Sequence, residues 1–212
     1  MPSKVSASRL CGVPETLLLP LYNRALESRR PDAIVRDEKA IELLGRIDYD
    51  FSRFGKLHVG FPVRARRMDD IVRAFLARYA DGVVVNLGGG LDTQFYRVDN
   101  GRVLWFEIDL PESIGVRREF FEETARHRTL ACSALDFRWM EEIEGRSPVM
   151  FVAAGLLPYF PPDEVKRLVA TLATRFPGSE MVFDTVSEWF SKLSLKGRPR
   201  SGNSFFRRCP GA

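Results

Sequence analysis

The residues best suited to chemistry lie in one stretch, Val83-Val84-Val85-Asn86-Leu87-Gly88-Gly89-Gly90-Leu91-Asp92-Thr93. Three valines and a leucine run straight into three glycines. A buried parallel strand ends in this way where a loop must let a ligand close to the backbone. Roughly 20 residues beyond the glycines, the spacing of a ribose-binding acid, a second apolar run from Val103 to Ile108 ends at Asp109. One ionised carboxylate accepts from both ribose hydroxyls, so the pair points to an adenosine-type ligand. Gly88 and Gly90 would bring backbone close to that ligand, and Asp92 either accepts from a ligand amine or caps the next helix. A glycine run alone suits a bare tight turn equally well, and Asp109 before Leu110-Pro111 alone suits a helix cap. Together, at this spacing, they favour nucleoside binding.

Other candidates are weaker. Asp136-Phe137 closes a third strand at the same edge, where a carboxylate and a ring can take the amino group and face of adenine. The plainer reading makes Asp136 a cap and Phe137 core. Tyr159, after the fourth strand, either orients a substrate or packs inside. Arg64-Ala65-Arg66-Arg67, opening the helix before the first strand, reads as a solvated basic turn. His58 and His127 read as surface or loop residues, so no Ser/His/Asp set arises. Cys11, Cys132 and Cys209 lack metal-ligand spacing, so no metal is expected, and reduced thiols of a cytoplasmic protein fit them.

The elements that must hold these residues follow from periodicity. Residues 14–28 and 37–45 read as two short helices, and residues 48–62 as irregular. Met68, Ile71, Val72, Phe75, Leu76 and Tyr79 share one helical face that ends at Asp81-Gly82. Strands and helices then alternate. Pro111 opens a helix carrying Ile114, Phe120, Phe121 and Ala125 before an exit at Arg126-His127-Arg128. Strands over 129–133, 149–155 and 181–185 follow, with a proline-started helix from Pro161 and a final helix to about Leu195. Such alternation with continuous apolar strands implies a parallel α/β sheet covered on both faces.

The 212 residues suit one domain: a helical cap over 1–80, a core over 81–191 and a basic, disordered tail over 192–212. No apolar run reaches membrane-spanning length, and the amino terminus has no export-signal layout. The net charge of +4 raises the question of nucleic acid, but six of the 32 basic residues crowd after Ser191 with no acid among them. The remaining body is near neutral, which argues against nucleic-acid binding.

The string V-N-L-G-G-G-L-D-T-Q-F-Y-R, the strand end E-I-D-L-P-E and the strand end A-A-G-L-L-P-Y-F with its proline-started helix resemble the leucine carboxyl methyltransferase family. The likeness extends from about Ser28 to Leu195 and includes the family's bacterial polyketide O-methyltransferase branch. It implies a Rossmann-like class I methyltransferase sheet under an N-terminal helical cap, with S-adenosylmethionine as cofactor and a small-molecule methyl acceptor. By that resemblance Gly88 and Gly90 line the cofactor, Asp109 holds the ribose, and Asp136 with Phe137 flanks the adenine. Arg64 matches an arginine that holds the methionyl carboxylate, and Arg36 a basic residue ahead of the cap's aspartate.

Two departures qualify it. Ala154 stands where many relatives have glutamate, and the family's last two strands have no counterpart after Thr185. The fifth strand is then an unprotected edge, which leads to an expectation of truncation, impaired turnover and self-association. The resulting reading is an O-methyltransferase acting on a carboxylate or hydroxyl. Its rivals are a catalytically dead cofactor-binding or interaction remnant and an NAD(P)-dependent oxidoreductase. Thr93 at the third glycine position of a dinucleotide fingerprint speaks against the latter.

Overall fold

A computed structural model describes residues 5–6 and 15–185. Among these, seven strands and six α-helices follow in chain order. A short parallel pair, β1 (Val5–Ser6) and β2 (Ile47–Asp48), sits apart from the main sheet. The main sheet comprises β3 (Val83–Leu87), β4 (Leu104–Asp109), β5 (His127–Ala131), β6 (Val149–Ala153) and β7 (Glu180–Phe183). Its order is β5-β4-β3-β6-β7, and every pairing is parallel. The order reverses direction at β3, so the crevice at its carboxyl end is where such sheets bind ligands.

Side-chain alternation along the strands divides the core in two. Val85, Leu87, Phe106, Ile108 and Phe151 pack beneath α6 (Pro162–Arg175), against Leu168 and Leu172. Val84, Trp105, Met150 and Val152 face α3 (Gly60–Arg78), through Val72, Phe75 and Leu76. A third cluster belongs to the cap. Leu18, Leu21 and Ala25 of α1 (Glu15–Ser28) meet Ala40 and Leu43 of α2 (Glu38–Arg46). Leu91, Val116, Phe120 and Phe121 join them, tying the cap to the sheet's carboxyl edge. Asp37 starts α2 by accepting from the Ala40 amide at 2.9 Å.

Several boundaries differ from the sequence reading. Helix α3 begins at Gly60, so Arg64 lies inside it rather than opening it, and Ile71 and Tyr79 of its expected apolar face are exposed. Helix α5 (Pro111–Arg117) stops well short of Ala125. Phe120 and Phe121 are buried all the same, by packing against the cap. Strand β5 starts at His127, two residues early, and His127 is buried rather than a loop residue. The small helix after it is a 3-10 turn, Phe137–Glu142. The expected helix to Leu195 and the tail lie outside the described residues.

Candidate active site

The glycine loop is stitched to its neighbouring strand. The amides of Gly88 and Gly89 donate to the Ile108 carbonyl at 2.7 and 3.2 Å, and that of Gly90 to Asp109 Oδ2 at 2.7 Å. Arg117, fully buried on α5, donates through Nη1 to the carbonyls of Gly90 and Asp92 at 2.8 and 2.9 Å. Its Nη2 meets Glu107 Oε1 at 2.8 Å, and Glu107 Oε2 accepts from Asn86 Nδ2 at 2.9 Å. His127 Nε2 approaches Glu107 Oε1 at 3.3 Å while its ring stacks on Phe95. Gly89 is required by this arrangement, since a Cβ there would lie 2.1 Å from Glu107 Oε2.

These contacts decide what the loop can bind. Phosphates are held by free backbone amides at a loop and helix start. Here the three glycine amides are engaged, and the helix that follows, α4 (Gln94–Val98), begins under the carboxylate of Asp92. Asp92 Oδ1 accepts from the amides of Thr93 and Gln94 at 2.7 and 3.1 Å. A pyrophosphate would be repelled by that carboxylate, whereas a neutral nucleoside with a cationic side chain would be attracted to it.

A cavity of about 410 Å³ opens at this edge between the cap and β3 and β6. Of the residues expected from sequence, Arg64, Gly88, Asp92 and Tyr159 line it. Gly90 and Asp109 do not, although they are hydrogen-bonded to each other. The Leu17 side chain lies over Gly90, where a Cβ would come within 2.6 Å of its Cδ2, and Leu156 lies similarly over Gly88. Burial raises the pKa of the Asp109 carboxyl, against the lowering effect of hydrogen bonds from the Leu110 and Gly90 amides.

Asp136 caps the 3-10 turn and pairs with Arg138 at 2.5 Å, while Phe137 lies under the Arg167 guanidinium. Neither lines the cavity. Arg36 donates to the Ser28 and Pro31 carbonyls and so braces the loop between α1 and α2. His58, expected at the surface, is exposed but also lines the cavity, with Phe54 and Phe61.

Arg64 is held by Asp184, which follows β7, at 2.8 Å. Asp184 also accepts from the Gly155 amide at 2.5 Å. Gly155 has φ +75°, and a Cβ there would sit 2.9 Å from Arg64 Nη1. Glycine thus serves both the turn and the seat of the guanidinium.

Sequence reasoning missed a second buried network. Asp37 Oδ2 receives Arg24 Nε at 2.9 Å, Arg97 Nη1 at 2.7 Å and the Thr93 hydroxyl at 2.6 Å. Arg97 also grips Asp69, which accepts from Gln94 Nε2 at 3.0 Å. Burial pushes the pKa of Asp37 and of Asp92 up, but Arg24 and Arg97 outweigh it and hold both below the usual carboxylate range.

An open parallel sheet of this order, with a glycine loop after β3 and an acid at the end of β4, fits an S-adenosylmethionine-dependent methyltransferase. The chain belongs to the leucine carboxyl methyltransferase family, whose profile matches residues 18–173. It is 35% identical over 193 residues to the tetracenomycin polyketide synthesis O-methyltransferase TcmP of Streptomyces glaucescens, covering 88% of this chain and 72% of that protein. It is 28% identical to the S-adenosyl-L-methionine-dependent methyltransferase dpfgK of Gibberella zeae, over 80% of this chain and 63% of that one. A putative S-adenosyl-L-methionine-dependent methyltransferase of Mycolicibacterium gilvum is 32% identical, over 83% and 70%. Among the described residues no helix is long and apolar enough to cross a membrane.

Proposed function

We propose that the chain transfers a methyl group from S-adenosylmethionine to a carboxylate or hydroxyl oxygen of an apolar small molecule. The observation that carries this reading is the glycine loop, whose amides are engaged by β4 and whose following helix starts under Asp92. That loop rejects a dinucleotide and tolerates a cationic nucleoside. In the proposed pose Asp109 accepts from the ribose hydroxyls, Gly88 runs beneath the ligand, and Arg64 takes the methionyl carboxylate. Asp136 and Phe137, in the turn that follows β5 and outside the cavity lining, would flank the adenine. When bound, the cofactor would supply an activated methyl on a sulfonium, and the cavity lining would hold the acceptor oxygen in line with it.

The protein's contribution is alignment and exclusion of water. A carboxylate acceptor needs no base, whereas a hydroxyl must give up a proton. Phe54, Phe61 and Tyr159 around the cavity favour a flat, apolar acceptor. The name of TcmP, a polyketide O-methyltransferase, points to the same class. Calorimetric titration with S-adenosylhomocysteine and with NAD tests the cofactor reading. Binding of the first alone is expected, and binding of NAD or of neither overturns it. Transfer of labelled methyl from S-adenosylmethionine to a panel of aromatic acids and phenols then tests the acceptor class.

A further inference from the structure

We propose that Asp184, the residue after β7, is a positioning residue that aims the Arg64 guanidinium into the cavity and so sets the site's preference for a ligand bearing a carboxylate. The inference rests on the cofactor reading above and adds to it a residue beyond the 18–173 span that the family profile matches. The parallel register of β6 and β7 pairs Ala153 with Phe183, so Asp184 arrives beside the turn at Ala154 and Gly155. Its two oxygens are divided there. Oδ1 accepts from the Gly155 amide at 2.5 Å, and Oδ2 accepts from Arg64 Nη1 at 2.8 Å. A carboxylate tied to backbone on one side is a fixed peg, and the flexible arginine must come to it.

The side on which Asp184 stands decides its role. Arg64 lines both the cavity and a neighbouring groove, whose other walls include Leu57 and Val59. Asp184 lines the groove and not the cavity, so it holds Arg64 from behind, away from a ligand in the cavity. Among the described residues Asp184 is the one hydrogen-bond partner of Arg64, and it engages a single N–H of a group that carries five. The guanidinium also lies over the Phe61 ring, 5.4 Å from its centroid. These two contacts fix a long side chain, and a guanidinium fork grips a carboxylate with two bonds only when it is held at the right angle. Arg66, on the same helix, shows the contrast. Its partner Asp70 is one turn away, and the two are 54% and 38% exposed, against 25% and 27% for Arg64 and Asp184. An exposed pair within one helix contributes little. The Arg64 pair instead joins α3 to the end of β7.

The test compares S-adenosylhomocysteine with its decarboxylated counterpart, in which hydrogen replaces the carboxylate, by calorimetry. Wild type should prefer the carboxylate-bearing ligand by about tenfold or more, the scale of one charge-assisted contact. Asp184→Ala should bring that preference within about threefold and leave affinity for the decarboxylated ligand unchanged. Combined with Arg64→Ala it should cost no more than Arg64→Ala alone, since Asp184 acts through Arg64. A larger loss places its effect elsewhere and overturns the inference. Should Asp184→Ala fail to fold, Asp184→Asn keeps the shape, but its single oxygen reaches only one of the two donors, and it should narrow the same preference. A variant that weakens both ligands equally makes the role purely structural and overturns the inference, as does one that keeps the full preference. A wild type that binds both ligands alike overturns it together with the Arg64 assignment and leaves the cofactor reading standing. Binding of neither ligand removes all three.

Discussion

Two buried ionic networks meet below the cavity, and they are balanced differently. On the glycine-loop side Glu107 and Arg117 match one to one, both fully buried, and the guanidinium lies over the Phe121 ring at 4.1 Å. On the cap side three carboxylates share Arg24 and Arg97, and Gln94 keeps an unpartnered oxygen. A balanced pair fixes architecture, since nothing needs to be added to it. An unbalanced set stores an unmatched buried charge, so its members respond more strongly to protonation.

The largest expected effect breaks the balanced side. Arg117→Met strands the Glu107 charge and should lower unfolding free energy by about 3–5 kcal/mol. Urea denaturation measures it, and adding Glu107→Gln should restore part of the loss. A second change separates folding from recognition. Asp109→Ala removes the proposed acceptor of the ribose hydroxyls, a loss of about 1.5–3 kcal/mol, so S-adenosylhomocysteine should bind about tenfold more weakly or worse. An unchanged calorimetric affinity would remove Asp109 from the site.

Gly89→Ala presses a methyl onto Glu107 Oε2, and overpacking of this kind costs about 1–3 kcal/mol. The thermal midpoint should fall accordingly, and an unchanged midpoint would mean that the Glu107 carboxylate has room to move.

The smallest effect sharpens the contrast through pH. The folded-state pKa values of Asp37 and Asp92 are depressed, so the native protein binds fewer protons at these sites than the unfolded chain. Their contribution is fully present above the unfolded value near 4 and is lost as pH falls through the folded values. Asp109 has the opposite sign, because its raised pKa makes its ionisation cost stability as pH rises. Denaturation midpoints between pH 7 and 3 should therefore fall, and Asp37→Asn should flatten the slope.

Much of this was legible in the sequence. Val83–Leu87, Val149–Ala153 and the proline-started α6 announced themselves through apolar runs and punctuation. Arg64, Gly88, Asp92 and Tyr159, singled out by motif or position, do line one cavity. What was hidden is non-local. Glu107 looks like one more strand residue until Arg117 and Asn86 are brought to it. His127, flanked by Arg126 and Arg128, reads as a polar exit because its apolar surroundings come from Phe95 and Tyr96. Arg24, Asp37 and Arg97 belong to three separate segments, and no local pattern joins them. Helix α5 stops at Arg117 without a glycine or proline to end it there, and that residue's guanidinium is committed to the loop carbonyls.

Strand β3 is paired on both sides, and all five of its residues are buried. Its amide protons belong to the part of a sheet that opens only with global unfolding, while helices docked on one apolar face open far more often. Among the described residues β3 should therefore exchange slowest, and helix α1, which lays Leu17 over Gly90, should exchange faster. If the cap must open to admit ligand, hydrogen exchange should show ligand-dependent protection growing most in α1 and least in β3.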